Sequence, residues 1–392
     1  MACGKAFQRF ALAAAMACAV VAALSGNALS AGATVVIDAG SGRVLSHENA
    51  FQRWYPASLT KIMTAYVAFR AIKAGEVTLN SPVRMSKNAA GEPPSKMGYK
   101  PGSTMTLDNA LKMLLVKSAN DVAVAIAESL AGSEAGFARR MNGEARRIGM
   151  TGSNFVNPNG LYDRRQYSTA RDLALLSATV RREFPQYAHY FKIEGIKAGD
   201  KLLRSYNILL GRFEGADGMK TGFICSSGFN LIGSATRGGR TLIAVVLGAE
   251  SQQQRAEEAA ELLARGFDKR RSAGTRVGDL APYGASRDKA PDMRSTICTK
   301  GAQAERWDAR DSKGRMIIRT RYLKPMSREP VVVAVGLGGA SGPAPEIRAN
   351  VPIPTPRPDD APQALALTPP IEPEIEIRMG IPLPTPRPGI VQ

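Results

Sequence analysis

Three short groups carry the residue types that acyl transfer needs: Ser58-Leu59-Thr60-Lys61, Ser118-Ala119-Asn120 and Lys220-Thr221-Gly222. A serine hydroxyl is a weak nucleophile until a base stands beside it. A three-residue spacing along a helix stacks the Lys61 amine on the same face as the Ser58 hydroxyl. That amine accepts a proton only while neutral, a state that burial and a second cation such as Lys220 both favour. Ser118 can then relay a proton to a leaving amine, Asn120 can hold a substrate amide, and Lys220 with Thr221 can receive a terminal carboxylate. A strand at Gly222-Phe223 lets an extended peptide lie alongside, with the backbone N–H groups of Ser58 and Phe223 as oxyanion donors.

Each group alone has a plain reading, a helix cap followed by a solvated lysine in the first case and a common tripeptide in the others. Their order, on a helix start, a turn between helices and a strand beside a glycine, is what points to serine–lysine chemistry. The two histidines, His47 and His189, lie near none of the cysteines Cys3, Cys18, Cys225 and Cys298, and no CxxC pair occurs, which excludes a zinc site of Cys and His. No Ser–His–Asp set is in sight. Neither a metal nor a cofactor is expected. Both histidines read as surface or core residues, and Asp121 as a charge at a helix start.

The elements that must position these groups follow from periodicity. Thr34–Asp38 and Gly42–Ser46 flank a short turn and read as a hairpin. Ser58–Ile72 places Leu59, Ile62, Met63, Tyr66, Val67 and Phe69 at helical spacing. Leu107–Val116, Asp121–Leu130, Glu134–Ile148 and Arg171–Val180 read as further helices, Phe229–Ala235 and Arg240–Leu247 as strands, and Ala256–Phe267 as a closing amphipathic helix. Strands at both ends of a helical middle predict an α+β fold, an antiparallel sheet from N- and C-terminal strands packed with helices.

The flanks set the compartment. Lys5 and Arg9 precede an apolar run from Phe10 to Leu24, and Ala28-Leu29-Ser30 offers small residues for cleavage, which predicts a signal peptide over 1–30 and a periplasmic product. The chain has 52 Lys+Arg against 34 Asp+Glu, a net charge of +18. Half of that excess lies in 269–329, where 16 basic residues face 7 acidic ones. With no helix-turn-helix, zinc finger or aromatic-interleaved surface, nucleic acid is not the expected partner. A solvated face, or contact with an anionic membrane or wall polymer, is. Residues 270–340 are left as a basic segment of unassigned fold, with short apolar runs at 316–318 and 331–335 as possible strands. From 341 onward the chain reads as a Pro-rich disordered tail, in which Ile353-Pro354-Thr355-Pro356-Arg357-Pro358 returns as Ile381-Pro382-Leu383-Pro384-Thr385-Pro386-Arg387-Pro388.

Export would leave Cys225 and Cys298 as the only cysteines, in an oxidising compartment. A bond between them would pin the basic segment against the rim of the site. Two unrelated thiols are the alternative.

The chain resembles the serine D-alanyl-D-alanine carboxypeptidases among the low-molecular-mass penicillin-binding proteins, which carry the same three motifs. The likeness extends to Tyr55-Pro56-Ala57, Asn157-Pro158-Asn159-Gly160-Leu161, Tyr167-Ser168-Thr169-Ala170-Arg171-Asp172-Leu173-Ala174 and Asp217-Gly218-Met219, and spans Ala33 to Phe267. It implies a β-lactamase/transpeptidase-like fold over 31–269 with a helical subdomain. It implies catalytic roles for Ser58, Lys61, Ser118 and Asn120, and substrate contacts from Lys220, Thr221, Gly222 and Phe223. In such enzymes the serine attacks the bond between the two terminal D-alanines of a peptidoglycan stem pentapeptide, releases D-alanine and passes the acyl group to water. Penicillins resemble that dipeptide and trap the serine.

This sequence departs from the family in three places. Phe223 stands where many members have His or Thr. Gly248-Ala249-Glu250 lacks the arginine that often follows the last strand, leaving Arg255 as a poor substitute. No β-sandwich or membrane-binding helix is evident beyond Arg270. An endopeptidase acting on crosslinks and an idle penicillin-sensing wall-binding protein remain as alternatives. A β-lactamase is disfavoured because no Glu-x-x-Leu-Asn stretch follows Asn120.

Overall fold

Every residue of β1 (Ala33–Asp38) is buried, which requires a covering layer on each face of its sheet. The computed structural model describes residues 32–269, 274–285 and 287–344. The expected signal peptide, and the expected tail apart from 341–344, lie outside them. β1 turns back into β2 (Val44–Glu48) as the predicted hairpin. A 3-10 turn, Ala57–Leu59, then carries Ser58 into α1 (Thr60–Lys73). This helix is buried without a break from Thr60 to Phe69. It is the central helix of the fold, enclosed all round, where the sequence pattern predicts one buried stripe.

The helical subdomain follows: β3 (Pro82–Arg84), α2 (Lys87–Gly91), β4 (Thr104–Thr106), α3 (Leu107–Lys112), α4 (Asn120–Ala131) and α5 (Glu134–Arg147). The helix expected over Leu107–Val116 is α3 running into a wider π-helical turn at Met113–Lys117, which hands the chain to Ser118 at φ 63°. Next come α6 (Ala170–Glu183), capped by the Thr169 hydroxyl, and a short antiparallel pair, β5 (Gly195–Ala198) and β6 (Lys201–Arg204).

Three long strands, β7 (Ala216–Ile224), β8 (Gly228–Arg237) and β9 (Arg240–Ala249), complete the main sheet in the order β2-β1-β9-β8-β7. β1 and β9 pair antiparallel, Ala33 opposite Leu247 and Asp38 opposite Leu242, so the terminal strands share one sheet as predicted. Alternation divides their side chains between two cores. Val35, Ile37, Ile243 and Val245 join the core built around α1, while Val36, Ala244 and Val246 join Ala256, Ala259 and Leu263 of α7 (Gln252–Asp268). Each such Val, Ile or Leu contributes roughly 1.5–3 kcal/mol. The fold is the α+β architecture expected.

The basic C-terminal segment lies along this body as a strap. It includes α8 (Arg294–Ile297), α9 (Lys300–Asp308) and β10 (Val332–Val335). Val277 N donates to Gly42 O at 2.8 Å, Lys324 N to Arg212 O at 3.0 Å, and Arg328 pairs with Glu194 at 2.5 Å. The run at 331–335 becomes β10, which pairs parallel with β5. The run at 316–318 does not form a strand: Met316 makes only an isolated bridge to Arg310. Among the described residues, no helix is long and apolar enough to cross a membrane.

Candidate active site

A cleft of about 260 Å³ opens between the start of α1, the turn before α4, and β7. Ser58 is on its wall, with Ser118, Asn120, Thr221, Gly222 and Phe223 around it. Each predicted site residue is therefore at one place, although the three motifs come from a helix start, a turn and a strand far apart in the chain.

Lys61 is fully buried and its Nζ has three acceptors: Ser58 Oγ at 3.0 Å, Asn120 Oδ1 at 2.8 Å and Asn159 O at 2.6 Å. Asn120 Oδ1 and the Asn159 carbonyl can only accept. A neutral amine has two N–H bonds, which these oxygens take, and its lone pair is left for the Ser58 hydroxyl proton. Burial, and then the nearby Lys220 cation, hold Lys61 well below the ordinary lysine range, which favours that neutral form.

On the opposite wall, Lys220 Nζ donates to Ser118 Oγ at 3.0 Å and to Thr221 O at 2.8 Å. Burial, with Arg255 adding repulsion, lowers Lys220 to about 7. Ser118 thus stands against one lysine and opens onto the same cleft as Ser58, which suits a proton relay. Asn120 is fixed at both ends, its Nδ2 donating to Pro93 O at 2.9 Å while Oδ1 faces Lys61.

Two close approaches set the backbone. A Cβ at Gly222 would lie 2.9 Å from Pro56 O and 3.1 Å from Ser58 N, so only glycine lets β7 come this near the nucleophile's amide. Ala57, just before Ser58, is at φ 49°, a left-handed conformation that a side chain resists. Phe223 stacks on Phe229 with centroids 4.2 Å apart and is 41% exposed, so its ring forms an open lip of the cleft.

Sequence reasoning missed four contributors. The sequence offers Arg255 only as a poor substitute for the family's arginine. α7 packs against β8 and β9, and from its first turn the buried guanidinium donates to Gly222 O at 3.1 Å and Asn230 O at 3.3 Å. Burial lowers it to about 9, which leaves it charged at neutral pH and lining the cleft. The Asn157–Gly160 turn was recognised by likeness without a role; its Asn159 carbonyl is an acceptor for Lys61. Glu92 accepts from Asn159 Nδ2 at 2.8 Å and fixes that residue's side chain. Asp121 does sit in the first turn of α4, as expected, but it is buried and also accepts from Met97 N and Gly98 N, tying the loop after Pro93 to the helix. His47 and His189 are exposed and line no part of the cleft.

The profile of the D-alanyl-D-alanine carboxypeptidase family matches residues 19–251. The chain belongs to this family. It is 38% identical over 252 residues to D-alanyl-D-alanine carboxypeptidase DacC of Escherichia coli (strain K12), covering 61% of this chain and 62% of that protein. It is 34% identical to DacF of Bacillus subtilis (strain 168), covering 58% of this chain and 60% of that one. The match therefore spans about three-fifths of these curated relatives' length. Among solved structures, DacD of Francisella tularensis has a TM-score of 0.60 at 32% identity, covering 61% of this chain and 70% of that chain. The ampicillin-bound form of penicillin-binding protein D2 from Listeria monocytogenes has a TM-score of 0.54 at 30% identity, covering 60% and 97%. The family match ends just after β9, at the start of α7, so it reaches the three motifs but not the strap.

Proposed function

We propose that this chain is a serine D,D-carboxypeptidase that removes the terminal D-alanine from peptidoglycan stem pentapeptides through an acyl-enzyme on Ser58. The observation that carries this reading is the buried Lys61 amine, 3.0 Å from Ser58 Oγ with its other two contacts occupied by oxygens. Neutral Lys61 takes the Ser58 proton as Oγ attacks the penultimate carbonyl carbon. Negative charge forming on the carbonyl oxygen is met by the N–H groups of Ser58 and Phe223. The proton returns through Ser118 to the leaving amine, the C–N bond breaks and D-alanine departs. Water then attacks the ester, with Lys61 again taking a proton, and the shortened peptide leaves.

Thr221, Lys220 and Arg255 receive the terminal carboxylate, and Asn120 holds the amide of the acyl part. The peptide backbone lies along β7, which is the edge of the main sheet. Penicillin enters as a substrate mimic, a reading supported by the penicillin-binding proteins among the neighbours. The cleft is lined by no Asp or Glu among the described residues, which supports a long-lived penicilloyl adduct over rapid hydrolysis. We further infer the organisation set out from the sequence, a cleaved signal over 1–30, a catalytic domain over 31–269, the basic strap and the Pro-rich tail. Periplasmic residence and contact of the strap with an anionic envelope surface go with it.

Incubation of the mature protein with purified muropeptides, followed by mass spectrometry, tests the activity. Pentapeptides should lose one D-alanine over repeated turnovers. Crosslinked dimers cut faster than pentapeptides would make it an endopeptidase instead, and no change in either would leave the penicillin-sensing reading. Fluorescent penicillin should label the chain, and Ser58→Ala should abolish the label.

A further inference from the structure

One short stretch of the strap touches the cleft at both of its walls. On one wall, Cys298 is bonded to Cys225, and Met293 N donates to Ser226 O at 3.1 Å. Those partners directly follow Gly222, Phe223 and Ile224 at the end of β7. On the other wall, the Arg294 guanidinium stands over the Tyr162 ring, 4.1 Å from its centroid. Tyr162 closes the turn that includes Asn159 and Gly160, and its ring packs against Tyr55 at 5.2 Å between centroids. Tyr55 leads through Pro56 and Ala57 into Ser58.

The two N–H groups assigned to the oxyanion belong to these two walls, Ser58 to one and Phe223 to the other. No strand pairing joins Ser58 to β7; inside the fold Asn230, opposite Gly222, donates from Nδ2 to Tyr55 O at 3.0 Å and Pro56 O at 3.3 Å, and the strap adds a second tie between the walls from outside. α8 runs from Arg294 to Ile297 and ends at Cys298. It is a single helical turn anchored by a cation–aromatic contact at one end and a covalent bond at the other.

We propose that Arg294 and Cys298 are positioning residues for acyl transfer, clamping the two walls so that the Ser58 and Phe223 amides converge on one oxygen. The proposal rests on the serine acyl-transfer reading above. Neither residue touches the substrate. Both act through residues that do, because an oxyanion bond weakens steeply as donor distance and angle drift.

The test uses the full-length exported chain and the rate of acylation by a fluorescent penicillin. Wild type is compared with Arg294→Gln, Arg294→Lys, the Cys225→Ser/Cys298→Ser pair, and the triple variant combining the pair with Arg294→Gln. Thiol titration of denatured, non-reduced wild type should find neither cysteine free. Arg294→Gln and the paired variant should each acylate roughly tenfold more slowly. The fall should lie in the limiting rate at saturating penicillin, with the half-saturating concentration little changed. Arg294→Lys should recover most of the rate, since an ammonium also sits over a ring. The triple variant should be no slower than the slower of its parents, because both changes release one clamp. The pH profile should not move, as Lys61 and Lys220 are untouched.

Wild-type rates in both variants would overturn the proposal. So would multiplying effects in the triple variant, or a loss seen only as a smaller labelled fraction, which marks unfolding. Failure of the unsubstituted chain to take penicillin at all would instead bring down the acyl-transfer reading, and this proposal with it.

Discussion

Gly160 lies so close to Ala57 that a Cβ on it would stand 1.8 Å from the Ala57 carbonyl oxygen. The contact joins the turn carrying the Asn159 acceptor to the residue before the nucleophile. Gly160 is also at φ 86°, so a side chain meets both a clash and an unfavourable backbone. In Gly160→Ala, Ala57 and Ser58 must move away together. Penicillin acylation should fall by about two orders of magnitude, with a lower Tm and an unchanged far-UV spectrum. Wild-type acylation kinetics in this variant would show that the approach is not needed.

The two buried lysines set the pH profile. In the proposed mechanism Lys61 acts neutral, so kcat/KM should rise with pH as Lys61 loses its proton. In the same mechanism Lys220 serves the carboxylate while charged, so the profile should fall as pH climbs past about 7 in the free enzyme. Part of the depression of Lys61 comes from the Lys220 cation. Lys220→Met should therefore move the rising limb to higher pH and remove the falling limb. The pH dependence of penicillin acylation measures both, and a rising limb at its original position would contradict the coupling.

Stability should run against activity at the same residue. Lys220 binds its proton at about 7 when folded and near 10.4 when unfolded. Between those values the unfolded chain holds the extra proton, so stability rises with pH across that window; the full penalty is present below about 7. Lys220→Met removes the penalty. Its Tm should exceed wild type by a few degrees at pH 6, with the gap shrinking by pH 10, while carboxypeptidase activity is lost. Thermal melts at both pH values decide this.

Arg255 should act on binding of the carboxylate. Arg255→Lys keeps a cation but loses the planar fork, and is expected to raise KM for a pentapeptide roughly tenfold with a small change in kcat. Arg255→Gln should do more to KM and also lower Tm, since the carbonyls of Gly222 and Asn230 lose a charged donor. Unaltered KM in both would remove Arg255 from the carboxylate site.

Most of the main sheet and the helices are legible because their residues repeat at strand or helix spacing, and the three candidate motifs because they occur together in one order. What escaped had no such mark. The Asn159 contribution is a backbone carbonyl, which any residue supplies, and only its place beside Lys61 gives it a role. Arg255 stands outside the motif position, and the packing of α7 against β8 and β9 decides where it lies. Sequence gives no distance and so cannot decide the Cys225–Cys298 bond; the structure forms it, with Cα atoms 5.6 Å apart. β5 and β6 are four residues each and too short for alternation to stand out. The 331–335 run pairs with β5, whereas the 316–318 run makes only an isolated bridge at Met316, and the two apolar runs look alike in sequence.

The pairing of β1 with β9 joins residue 33 to residue 247, so the main sheet cannot close until nearly all of the catalytic domain has emerged. Ser58 and Lys61 are neighbours on α1 from early in synthesis, yet Lys220, Thr221 and Gly222 arrive with the late strands. Such long-range closure is slow, and until it happens the amine is exposed to water, protonated and unable to serve as a base. An incomplete chain therefore carries the proposed nucleophile in an inert form, and reactivity begins only when the last strands are in place.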